Sequence, residues 1–271
     1  FAPGETMKTV LVALIDDAVP EANEVFGFAI DNVTGGALLL APRTATVTIT
    51  DDDVLLPNFP SFADPSGLML NGSALVVEDV LIVNDETSGS IGSVFFNSPI
   101  PVSADSSFQS HFQFEINAAD IVSGHTGLTF VVQNAIEGPA AIGETGGAFG
   151  YTGLDSSLAI RFDAQLLLGT PTENFVSLMV NGDPTPLKAA RTPFIDFETG
   201  ATAYAWVDYN GSSNRLRVYV SSTPTKPVSP ILSETLDLSA LVGTQAFVGF
   251  TAGSELEGMS HRVRNWRFSL D

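Results

Sequence analysis

The chain has 271 residues, with 11 Lys and Arg against 31 Asp and Glu, and its formal net charge of −20 excludes a phosphate-tracking nucleic-acid surface and an anionic membrane face as partners. Charged residues make up only 15% and hydrophobic ones 44%, including 19 Phe, so a sizeable core can form and disorder is excluded. Cys is absent, which removes disulfides and thiolate zinc sites, and no apolar run approaches the roughly 20 residues that span a bilayer, so no membrane insertion is expected.

The hydrophobic period along the chain is two. Val10, Val12 and Leu14 alternate with their neighbours, as do Phe26, Phe28 and Ile30, then Val47 and Ile49, which predicts three half-buried strands. Between the first two lies a turn carrying Asp16, Asp17, Glu21 and Glu24, and the third ends in Asp51, Asp52 and Asp53. If the sheet brings turn and strand end together, up to seven carboxylates converge, the donor set of a hard cation such as Ca²⁺; a solvated acidic loop is the alternative. Residues 54–60, with two prolines, read as a linker. Three strands are too few to bury two faces, so residues 1–53 must dock on something.

From residue 61 onward the strands continue. Phe108, Phe112, Phe114 and Ile116 share one face, and Leu128–Val132, Leu158–Phe162, Val176–Val180, Tyr204–Tyr209, Leu216–Val220, Phe247–Phe250 and Arg262–Leu270 follow, separated by Gly, Pro, Asn and Ser. No amphipathic helix stands out. Short strands at regular spacing predict an all-β fold, an antiparallel sandwich or barrel. The three histidines lie far apart, no nucleophile elbow occurs, and the acid pairs Asp196/Glu198 and Glu255/Glu257 lack a third partner, so an enzyme is not expected. His261, Arg262, Arg264 and Arg267 gather basic residues on the last strand, to balance local carboxylates or to meet an acidic segment or another subunit.

The run FAPGETMKTVLVALIDDAVPEANEVFGFAIDN followed by ATVTITDDD resembles the second half of a Calx-beta domain, which implies part of an immunoglobulin-like sandwich with calcium at one end. By that resemblance Asp16, Asp17, Glu21, Glu24, Asp51, Asp52 and Asp53 correspond to metal-ligand positions. The rest, through LMLNGSA, GSVFFNSPIP, GLTFVVQN, GGAFGYTG, SLAIRFD, AWVDYNG, VGFTA and NWRFSL, resembles the legume-type (L-type) lectin domain in the form seen in bacterial surface proteins, which implies a concanavalin A-like β-sandwich with sugar-binding loops over one sheet.

The sequence departs from that family at the sugar site. Where the family has Ala-Asp-Gly it has His125-Thr126-Gly127, and where the family has Val-Glu-Phe-Asp it has Ile160-Arg161-Phe162-Asp163. Asp163 alone cannot supply the six or so oxygens a divalent ion needs, so no metal is expected there, and Arg161 is expected to pair with Asp163 as a replacement cation. Thr126, Gly146, Gly147, Phe149 and Tyr151 are then the candidate carbohydrate contacts; alternatively Gly146-Gly147 is a turn and the aromatics are core. The expectation is a glycan-binding or adhesion module of a larger secreted or cell-surface bacterial protein, its partner a glycan or a surface protein. The first residue, Phe1 in place of Met, is expected of a piece of something longer. The other expectation is a structural subunit, assembled with other copies of itself by strand complementation, with the lectin fold as scaffold.

Overall fold

The computed structural model describes residues 1–271 except 1, 3, 16–19, 52, 118–123, 145–148, 167–172, 193 and 255–258. The chain divides into two compact units, Phe1–Leu55 and Leu56–Asp271.

In the first unit β1 (Glu24–Ala29) and β2 (Thr44–Ile49) pair antiparallel, with Phe26 opposite Val47. The alternation over Val10–Leu14 does not become a strand, and Val10 and Leu11 stay exposed. A strand needs a neighbour for its backbone N–H and C=O groups, and β1–β2 is the only ladder among the described residues of this unit.

The second unit is a sandwich of two antiparallel sheets. The first runs β13 (Lys188–Arg191), β12 (Glu173–Val180), β11 (Ser157–Leu166), β10 (Gly124–Gln133), β17 (Gln245–Ser254), β7 (Ile91–Phe96) and β4 (Leu68–Gly72), with β8 (Ile100–Pro101) also on β17. The second runs β16 (Leu232–Thr235), β15 (Arg215–Ser221), β14 (Ala203–Asn210), β9 (Phe108–Asn117), β18 (Ser260–Leu270), β6 (Val80–Asn84) and β5 (Leu75–Val77), with β3 (Asn58–Phe59) on β18.

The expected linker is therefore shorter than 54–60. Phe59 pairs with Trp266, Asn58 pairs with Arg267, and the Phe268 amide donates to the Pro57 carbonyl at 2.8 Å. Pro57 and Pro60 flank the two pairing residues instead of interrupting them, and Phe59 is drawn inward by stacking on Phe62 and Trp266, at 5.4 and 6.0 Å between ring centroids. Among the described residues the one α-helix, the five-residue α1 (Leu238–Val242), is capped by Asp237, whose carboxylate accepts from the Ala240 amide at 3.0 Å. One turn and a half is too short to leave a helical period in the sequence.

The face predicted for β9 is the buried one: Phe108, Phe112, Phe114 and Ile116 all point between the sheets. There Phe112, Phe130, Phe162, Phe250 and Trp266 meet ring to ring, in stacked and T-shaped pairs with centroids 4.9 to 5.8 Å apart. A smaller cluster lies on the opposite face of the first sheet, where Phe95, Val131, Ala159 and Met179 are covered by Ala141, Tyr151 and Leu154 from the connection between β10 and β11. That connection roofs the region the sequence marks as functional.

Candidate functional site at the β10 and β11 end of the first sheet

Antiparallel register puts Thr129 opposite both Arg161 and Thr251, with Ser177 and Ser93 next in line, so one polar row crosses the first sheet beside the apolar cluster. One step nearer the strand ends Gly127 stands opposite Asp163. A Cβ at Gly127 would lie 2.8 Å from the Phe162 carbonyl oxygen, so this position needs glycine to let β10 and β11 approach.

Arg161 Nη2 donates to Asp163 Oδ2 at 3.1 Å, with both side chains largely buried, so the pairing expected from the sequence is present. The ring of Phe149 lies over the guanidinium, 5.2 Å from centroid to Cζ. Phe149 is in the left-handed region, φ 51°, an uncommon conformation for an aromatic residue, held here by the roof connection. Burial raises the Asp163 carboxyl above its ordinary range, opposed by the Arg161 guanidinium and His125.

The family resemblance implies a divalent metal at this end, and the described side chains do not by themselves fit one. Asp163 spends one oxygen on Arg161, and among the described residues no three His, Asp or Glu lie close enough together to hold an ion. Among the described residues the cation that faces Asp163 is the Arg161 guanidinium.

The five expected sugar contacts fall differently. Gly146 and Gly147 lie outside the described residues. Thr126, Phe149 and Tyr151 are 0%, 2% and 1% exposed, so their side chains build the site's foundation and present no face to solvent. The Tyr151 hydroxyl lies 3.0 Å from Ser157 Oγ and accepts from the Gly182 amide at 3.0 Å, while burial lifts its pKa. His125, next to Thr126, is the exposed side chain at this end.

Thr126 belongs to a buried polar strut between the sheets. The Asn84 amide nitrogen donates to the Asp85 carbonyl and to Ser90 Oγ, each at 3.0 Å, which leaves Asn84 Oδ1 to accept from His261 Nδ1. His261 Nε2 then accepts from the Thr126 hydroxyl at 2.8 Å, and Ser90 Oγ reaches Ser254 Oγ at 3.2 Å. His261 is fully buried and its pKa is pushed down to about 3 by burial. The sequence grouped His261 with the arginines of the last strand; strand alternation, which points it inward and Arg262 outward, was the signal separating them. Two of those arginines do balance local carboxylates: Arg262 pairs with Glu86 at 3.3 Å and Arg264 with Glu115 at 2.5 Å.

In the first unit Glu21, Glu24, Asp51 and Asp53 line one open depression of about 370 Å³ together with Leu14, Phe26 and Ile49. Asp16, Asp17 and Asp52 lie outside the described residues.

Four buried polar atoms at the sheet face have no hydrogen-bond partner: Thr129 Oγ1, Thr251 Oγ1, Arg161 Nε and Asp163 Oδ1. Such atoms carry a desolvation cost that water or a polar ligand removes.

Residues 57–271 match the legume lectin domain family, and residues 1–53 match the Calx-beta domain family. The L-type lectin-domain containing receptor kinase VIII.1 of Arabidopsis thaliana is 31% identical over 211 residues, covering 73% of this chain and 28% of that protein. The lectin alpha chain of Lablab purpureus is 28% identical over 195 residues, covering 68% of each. The chain spans 28 to 30% of the length of three of the receptor kinases it matches. Among solved structures, a Bauhinia forficata lectin in complex with GalNAc superposes with a TM-score of 0.66 at 19% identity, covering 80% of this chain and 98% of that one. Arcelin-5, a lectin-like defence protein of Phaseolus vulgaris, gives 0.65 at 22%, covering 79% and 96%. The fold is the concanavalin A-like sandwich the sequence implied. These relatives are plant proteins and give no support to a bacterial origin.

Proposed function

The chain belongs to the legume lectin domain family, and from that premise we propose that it is a carbohydrate-binding module of a larger secreted or cell-surface protein, acting by non-covalent recognition, with no metal at its sugar site. The observation that carries this reading is the match of residues 57–271 to the legume lectin domain family, on a sandwich that keeps His125 exposed near Asp163 at the β10 and β11 end. The positive charge that would orient a sugar comes from Arg161, fixed by Asp163 and Phe149. No helix among the described residues is long and apolar enough to cross a membrane. The kinase activity in the relatives' names belongs to those proteins; this chain matches their lectin portion.

A glycan array probed with the whole chain, in calcium and in chelator, tests this. Binding in both conditions that falls on His125→Ala supports it; silence in both removes it. Calcium in the first unit stays part of the proposal on the family match alone: Glu21, Glu24, Asp51 and Asp53 line one depression but no three of them are close enough to hold an ion by themselves, so a site there also needs Asp16, Asp17 or Asp52, and a calorimetric titration with calcium that gives no heat eliminates that part.

A second reading rests on the β1–β2 pair. Two strands alone are marginal, and Leu11, Ile15, Leu38 and Leu40 are 80% or more exposed around them. Strands from another segment or copy would cover these residues, making the unit an assembly element with the lectin fold as scaffold. Concentration-dependent ordered polymers, with no glycan bound, would favour it.

A further inference from the structure

The outer face of the second sheet carries a second built feature, away from the β10 and β11 end of the first sheet. Register places Trp206, His111 and Arg267 in one row across β14, β9 and β18. The Trp206 and His111 rings stack at 4.9 Å with planes 16° apart. One face of the imidazole is thereby taken, and both rings line a depression of about 360 Å³ together with Arg267, Gln109 and Ser269. His111 Nε2 is buried and has no hydrogen-bond partner. Burial, aided by the nearby Lys226 ammonium, holds the His111 pKa below its ordinary value, so the ring is neutral near pH 7.

A second depression, of about 300 Å³, adjoins the first at Gln109 and is lined by Arg215, Arg217 and Lys226, with Asp208 and Asp271 as its carboxylates. Lys226 and Asp208 neutralise each other at 2.5 Å, and Asp271 accepts from Gln109 at 2.9 Å. Arg217 and Arg267 make no ion pair among the described residues. Together the depressions hold four cations against two carboxylates in a chain whose net charge is −20. Local positive excess, an aromatic wall, an amide and hydroxyls, divided into pockets of sugar-unit size, fit an anionic saccharide better than the flat apolar patch a protein interface needs.

We propose that this face binds an acidic oligosaccharide, one of whose uronate sugars packs against His111 with its carboxylate on Arg267, while the next anionic unit meets Arg217. The occupant is a saccharide chain, because strands β15 and β18 stand three inter-strand steps apart, about 14 Å between backbones, a span that consecutive sugar units bridge along the row of cations. The site is independent of the β10 and β11 rim.

The chain supplies its own reporter, since it has two tryptophans and Trp266 is 1% exposed, which leaves Trp206 as the accessible one. The whole chain is titrated with trigalacturonate and with its methyl ester while tryptophan emission and acrylamide quenching are followed. The expected result is a saturable protection of Trp206 by trigalacturonate that weakens about tenfold in Arg267→Gln, weakens with added salt, and is unchanged in His125→Ala. Arg267 is exposed, so its replacement leaves the fold intact, and Arg217→Gln serves as the second variant. Equal binding of the methyl ester, no response to either substitution, or protection that instead tracks self-association in sedimentation would each overturn the proposal.

Discussion

His261 and Arg161 show how single residues set the character of the first sheet's functional end. His261 stays neutral in the fold, its pKa near 3, while in the unfolded chain it titrates near 6.5. Below about 6.5 the unfolded state takes up a proton that the folded state refuses until about 3, so stability falls as pH drops through that window. The slope from this one group is at most about 1.4 kcal/mol per pH unit. Urea denaturation between pH 7 and pH 4 is expected to show a shallower pH dependence in His261→Gln than in the parent; identical slopes would mean the strut does not exclude the proton. Arg161 and Asp163 make the complementary case. Removing one partner strands a buried charge, at a cost of about 3 kcal/mol or more, so Arg161→Met should destabilise more than Arg161→Met combined with Asp163→Leu, which leaves no charge behind. Equal losses in a double-mutant cycle would contradict the pairing.

At the scale of elements, the alternation of Phe108, Phe112, Phe114 and Ile116 was legible because a strand with one buried face writes its burial directly into period two. The same logic misled at Val10–Leu14, where alternation is present and no neighbouring strand is there to pair with. It also misled at residues 54–60, where two prolines concealed the two-residue strand β3. Phe59 is the test of that element: Phe59→Ala should cost about 3 kcal/mol, measured by chemical denaturation, because its ring stacks on both Phe62 and Trp266. A linker residue would cost little. At the site, the Arg161 and Asp163 pair could be read from the strand sequence, since i and i+2 share a face. The burial of Thr126, Phe149 and Tyr151 could not, because it depends on a long connection folding back over the sheet and on a histidine from the opposite sheet, 135 residues away.

At the scale of the whole molecule, the sandwich was readable from strand spacing and family motifs together, and its core repeats one device: phenylalanines from both sheets meeting ring to ring, stacked or edge to face. The grouping of cations on the outer face of the second sheet was not legible, because Arg217, Lys226 and Arg267 come from three distant stretches that only the strand order brings together. The fold does not by itself fix a function, and at the end of the first sheet where the resemblance implies a divalent ion the Arg161 guanidinium pairs with Asp163. The most direct measurement is calorimetric titration of the whole chain with the strongest array sugar, in calcium and again in chelator. An unchanged Kd is the predicted result; binding that disappears in chelator and returns with calcium would contradict the central claim.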